Sequence, residues 1–150
     1  MLKASLLPLV LFMLIISGCK KGTSVDDMGL IGSWQLVERS GGMNPEVFHP
    51  AANEEVLKFA NSNYKLYHND ILANTGFYAI AEDSTVEQEV CLVFANNYYS
   101  RRIDFSGMDN SGKTFYNLNG DTLRLISGCY AYDAGSTKVY ARMKENTGGE

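Results

Sequence analysis

Apolar and polar residues alternate in short runs along most of this chain. Stretches rich in Val, Ile, Leu, Phe and Tyr recur about every ten residues, with clusters of Asn, Gly, Asp and Ser between them, which is the pattern of an antiparallel barrel or sandwich. Candidate strands cover residues 30–39, 55–60, 64–68, 76–81, 88–94, 98–105, 114–118, 122–127 and 138–144. No comparable stretch has the period of about 3.6 residues that marks an amphipathic helix, and only residues 45–55 leave room for a short helical turn.

The sharpest local signal is FYNLNGDTLRLI, residues 115–126. Asn119-Gly120 accepts the positive φ values of a two-residue type I′ turn, and apolar residues alternate on both sides, so a hairpin is expected there. A second hairpin is expected where Asn61-Ser62-Asn63 separates Leu57 and Phe59 from Tyr64 and Leu66. Consecutive hairpins build an antiparallel meander, whose open edges must close or be covered. The expected fold is all-β, an antiparallel up-and-down barrel of about 8–9 strands. Strand parity places Tyr64/Leu66, Phe77/Ala79, Val90/Leu92/Phe94, Tyr99/Ile103/Phe105, Tyr116/Leu118 and Leu123/Leu125 inward.

The first residues follow another pattern. Lys3 precedes an apolar run of about eleven residues (6–16), long enough for the core of a signal peptide and too short to span a bilayer. Ile16-Ser17-Gly18-Cys19 closes the run and resembles the lipobox of bacterial lipoproteins. The resemblance implies cleavage before Cys19, a diacylglycerol on its thiol and an acyl chain such as palmitate on the freed amine. Two or three chains anchor stably where a single one holds only marginally. A secreted signal peptide or an apolar anchor helix would leave unexplained why a cysteine ends the run. Lys20 stands where aspartate would imply retention at the inner membrane, so the resemblance favours the outer membrane, on either face. The expected organisation is a signal peptide at 1–18, a lipidated end and flexible tether at 19–28, a barrel at 29–145 and a disordered tail at 146–150.

Charge narrows the partners. The whole chain carries a formal −4, and losing residues 1–18 with Lys3 makes it −5, with no block of one sign. Nucleic acid is a poor partner for such a surface.

Later in the chain, LIGSWQLVE (30–38), VLKFANSNYKLY (56–67), TGFYAI (75–80), YNLNGDTLRLI (116–126) and VYARMK (139–144) resemble, in order, the lipocalin-like lipoproteins of Gram-negative bacteria. That resemblance implies a lipocalin-like (calycin-like) barrel in which Trp34 plugs the closed end and Arg142, from the last strand, covers it. The chain is shorter than animal lipocalins and lacks their Thr-Asp-Tyr motif, which argues against a large cavity.

With Cys19 lipidated, Cys91 and Cys129 remain as an even pair in an oxidising compartment, either bridged or two buried thiols. Catalysis finds no constellation. His49 and His68 lack the spacing of a metal site or nucleophile pair, and Glu87/Glu89 and Arg102/Asp104 are ordinary two-residue pairs on strands. No cofactor, metal or enzymatic activity is expected. The nine tyrosines combine an apolar ring with a polar tip and suit a small pocket, although small barrels also fill with such side chains. Candidate ligand-lining residues are Tyr64, Leu66, Phe77, Leu92, Tyr99, Ile103, Tyr116 and Leu123. The expected function is a membrane-anchored lipoprotein that binds a small, mainly apolar molecule in or at the mouth of the barrel. The alternative is a filled barrel serving as an interaction module or accessory subunit at the cell envelope, with recognition by loops 41–53, 109–112 and 130–136.

Overall fold

The computed structural model describes residues 28–42, 44–95, 97–108 and 112–144. The expected signal peptide, Cys19, the expected tether up to Asp27, the expected tail and part of loop 109–112 lie outside the described residues. A 3-10 turn, Met28–Leu30, leads into β1 (Gly32–Gly41), followed by β2 (Asn44–Phe48), β3 (Glu55–Ala60), β4 (Asn63–His68) and β5 (Ile71–Glu82). A short helix α1 (Val86–Val90) precedes β6 (Arg101–Phe105), β7 (Thr114–Asn119), β8 (Thr122–Ser127) and β9 (Ser136–Arg142). Neighbours pair antiparallel in the order β2-β1-β3-β4-β5-β6-β7-β8-β9, and β1 pairs with β9 as well. That pairing closes eight strands into an up-and-down, lipocalin-like barrel, with β2 as an extra strand on β1.

Alternation puts Trp34, Leu36, Leu57, Phe59, Tyr64, Ile80, Ile103, Phe105, Tyr116, Leu123, Leu125 and Tyr140 into one buried core. At its closed end Trp34 is fully buried and donates from Nε1 to the Leu30 carbonyl at 2.8 Å. Arg142 stacks on the indole with Cζ 4.1 Å from the ring centre. Its guanidinium also donates to the carbonyls of Ile31, at 2.8 Å, and Gly29, and to Asp121 at 3.1 Å. One planar fork thus covers the indole and ties the 3-10 turn to the last strand.

Several expectations are corrected. Residues 88–94 form no strand: β5 pairs directly with β6, and the chain leaves the sheet between Glu82 and Arg101. Val86 and Val90 lie four residues apart on α1, so both turn onto the outer wall and bury against Phe115, Ile126 and Tyr99. Asp83 holds the start of this excursion by accepting from the Thr85 backbone at 2.9 Å and hydroxyl at 2.7 Å. Cys91, in the left-handed conformation, ends the helix and is joined to Cys129 with the Cα atoms 5.1 Å apart. Residues 45–55 hold no helix, because β2 extends β1 through Arg39↔Phe48 and a turn at Ala51 to Glu54 follows. The β7–β8 hairpin turns on Gly120-Asp121, with Asn119 paired to Thr122 and Gly120 at φ 55°. A glycine at the first central position fits a II′ turn rather than the expected I′.

Parity on β5 is also reversed. Tyr64 pairs with Gly76, whose missing side chain makes room: a Cβ there would lie 2.5 Å from the Ser106 carbonyl and 3.1 Å from the Tyr64 ring. Gly76 therefore takes the inner face with Tyr78 and Ile80, and Phe77, expected inside, is 65% exposed.

The Cys91–Cys129 bridge closes a span of 38 residues, so breaking it should cost about 4 kcal/mol in the chain-entropy account. Reduction, or a Cys91→Ser/Cys129→Ser variant, is expected to lower the unfolding free energy read from urea denaturation by that amount, with an earlier midpoint, while the far-UV signature of the sheet persists below the transition. Arg142→Lys keeps the charge but not the fork and is expected to cost about 1–3 kcal/mol in the same assay, with a red shift of Trp34 emission.

Candidate functional site

The end of the barrel opposite Trp34 is built differently. Glu55 opens β3 on the same inner face as Leu57 and Phe59, and is the buried charged residue of the interior. Lys138 and Tyr140 stand two residues apart on β9 and reach it across β1, which lies between the two strands. Lys138 Nζ donates to both Glu55 oxygens at 2.9 Å, and the Tyr140 hydroxyl donates to Oε1. His68, the direct partner of Glu55 on β4, brings Nε2 to 3.4 Å from Oε2.

Electrostatics fix the protonation of this group. Burial raises the Glu55 pKa, but Lys138, the Tyr140 hydrogen bond and His68 together outweigh it, holding the carboxyl below its ordinary 4.5. Burial, and then the adjacent carboxylate, push Tyr140 well above 10.0. At neutral pH Glu55 is therefore a carboxylate and Tyr140 a neutral phenol that donates to it.

Above the cluster a cavity of about 180 Å3 opens at the barrel mouth. Leu57, Leu66, Phe105, Met108 and Leu125 form its apolar walls; Thr114, Ser127, Ser136, Lys138, Glu55 and Tyr140 supply its polar surface. Beside it, Arg39, Glu46, Phe48 and Gly135 border an open crevice that shares Ser136 and Lys138. Arg39 lies over the Phe48 ring at 4.3 Å and meets Glu54 at 3.4 Å.

A larger crevice of about 640 Å3 lies outside the barrel, between the 83–100 excursion and β6. Its polar groups already hold that excursion in place. Asp83 pairs with Arg102 at 3.0 Å and Lys113 at 3.1 Å, and Glu87 accepts from the Phe94 backbone at 2.9 Å. The mouth is the better candidate because it lies within the barrel and its walls are mainly apolar, with a few polar groups converging on them, whereas the outer crevice is mainly polar.

Of the expected lining residues, Leu66 borders this cavity. Tyr64, Ile103, Tyr116 and Leu123 fill the core below it, and the Tyr64 hydroxyl is spent on the Ser106 carbonyl at 2.8 Å. Phe77 faces solvent through the parity set by Gly76. Leu92 is 37% exposed because its segment left the sheet, and Tyr99 packs against Val86 and Val90 on the outer wall. Glu55, Lys138, Tyr140 and His68 were missed, although a glutamate in phase with Leu57 and Phe59 is a visible anomaly. Among the described residues, no three His, Cys, Asp or Glu are grouped to hold a metal ion, and no helix is long and apolar enough to cross a membrane.

Against known proteins, the chain matches no family model, no curated protein and no solved structure. Its class is defined by the fold: a closed lipocalin-like barrel, compatible with ligand binding, with a small polar-floored mouth.

Titration of this site carries a definite sign. Glu55, and Asp83 on the outer wall, have lowered pKa values, so their contribution to stability is present above the ordinary carboxylate range and is lost as pH falls through those values. Tyr140 and Tyr99, the latter raised to about 12, contribute below 10.0 and lose that contribution as pH rises through their folded values. Denaturation across pH is expected to show a plateau between those limbs. Tyr140→Phe should cost about 1.5–3 kcal/mol on the plateau and move the acid limb to higher pH, since Glu55 loses a hydrogen bond to its charged form.

Proposed function

We propose that this protein is a lipid-anchored, lipocalin-like binding protein that takes a small, mainly apolar molecule with a polar end at the mouth of its barrel. The cavity of about 180 Å3 carries this reading. A closed apolar cavity of about 150 Å3 is enough for benzene, so the space fits one ring or a short chain and excludes the long ligands of larger barrels. Leu57, Leu66 and Met108 would hold the apolar body, with the Lys138–Glu55 floor orienting the polar end. We read the role as binding rather than catalysis: Glu55 is filled by its neighbours, and among the described residues that line the mouth no hydroxyl other than that of Tyr140 is hydrogen-bonded to a base.

The lipobox-like Ile16-Ser17-Gly18-Cys19 supports the anchor, with the thiol of Cys19 as attachment point and the outer membrane of a bacterial envelope as the favoured site. The described chain begins at the closed end, where Gly29 contacts Arg142.

A second reading, an interaction module or accessory subunit, draws on apolar side chains outside the barrel. Ile71 and Leu72 follow the β4–β5 turn and are 73% and 49% exposed, and Val47 and Phe48 on β2 are about half exposed. Native mass spectrometry of the full chain, released gently from its own membranes in detergent, separates the readings. A discrete added mass that vanishes on denaturation is expected; a bare, folded protein in repeated preparations would favour the interaction module.

A further inference from the structure

We infer that the mouth selects an anionic end, and that its ligand is a small apolar carboxylate whose oxygens sit between Lys138 and the paired hydroxyls of Ser127 and Ser136. This rests on the reading of the mouth as a binding pocket and names what the pocket prefers.

The first reason is hydrogen-bond capacity. Glu55 accepts from Lys138 at both oxygens and from Tyr140, and it faces His68 at 3.4 Å. A carboxylate offers about four acceptor positions, so little remains for the ammonium group of a cationic guest. Lys138 is the opposite case. Its partner among the described residues is Glu55, it carries three donor hydrogens, and its side chain is 36% exposed toward the opening. At least one hydrogen is left for a guest.

The second reason is register. Ser127 and Ser136 are direct partners across β8 and β9, and Ser136 is two residues from Lys138, so the three stand together on the inner face. Neither serine side chain bonds another described residue, and both line the cavity with Leu57 and Met108. A carboxylate has two oxygens to divide between an ammonium and a hydroxyl pair, and its charge-assisted bond to lysine is about twice as strong as that of a neutral carbonyl. Net charge does not make the selection: Lys138 is balanced by Glu55, and Arg39, its register partner on β1, is turned to Glu54 at 3.4 Å. Selection comes from the one donor-only group left unfilled, the Lys138 ammonium, with the Ser127 and Ser136 hydroxyls turning their single hydrogens to the same guest oxygens.

Three ring-sized probes test this: benzoate, benzyl alcohol and benzylamine, titrated into the full chain in zwitterionic detergent with methyl NMR of Met108 and Leu66 as the readout. Benzoate is expected to bind at least about tenfold more tightly than benzyl alcohol, with benzylamine weakest. Ser127→Ala/Ser136→Ala, which leaves the buried ion pair intact, should lower that ratio several-fold. Glu55→Gln/Lys138→Met, which removes both charges together, should bring it near one while benzyl alcohol still binds. Equal or tighter binding of the alcohol or amine, or a ratio unchanged in both folded variants, overturns the preference and leaves the pocket standing. If no probe moves either methyl signal, the pocket reading falls and takes the preference with it.

Discussion

An antiparallel meander ends in two rows of unpaired backbone groups, and here β1 removes them by pairing with β9 as well as β3. Everything else about the molecule depends on that closure. It turns one face of every strand into an interior, makes Trp34 and Arg142 neighbours on adjacent strands, and brings β3 and β9 within reach of each other on either side of β1. Without it, Glu55 and Lys138, 83 residues apart, would have no reason to meet.

The closed interior is not uniform. Toward Trp34 it is packed with aromatic and branched side chains, including the edge-to-face contact of Tyr64 with Phe105 at 4.9 Å. Toward the mouth the packing gives way to a buried carboxylate that is tolerable only because three neighbours satisfy it. Replacing such a pair by well-packed apolar residues often stabilises a protein, so stability alone is a weak reason to have one. Its place is on the floor of a cavity, where both groups line the space.

The outer wall carries a second, smaller core. Phe115 and Ile126 lie on the outer face of β7 and β8 and would be exposed on a bare barrel. The excursion between β5 and β6 covers them with Val86, Val90 and Tyr99, and the bridge from Cys91 to Cys129 pins the cover in place. The Asp83 ion pairs with Arg102 and Lys113 hold its first turn to the sheet. The barrel is therefore held by strand pairing inside and by a disulfide-tied strap outside, on a different side of the wall from the mouth cluster.

Much of this was legible in the chain itself. Short apolar runs mark eight of the nine strands, polar turn residues mark the hairpins, and together they point to an antiparallel meander that must close or be covered, because these are local properties of consecutive residues. Tertiary context decided what local pattern leaves degenerate. Phe77-Tyr78-Ala79-Ile80 is apolar on both faces, so its parity awaited the close approach of Gly76 to Ser106. Residues 88–94 read as a strand, but the apolar run is too short to tell a strand from a segment that covers Phe115 and Ile126, and the structure uses it for the latter. The mouth cluster was least visible: Glu55 meets Tyr140 across 85 residues of sequence, and only closure of the barrel places that carboxylate beside its phenol and its lysine.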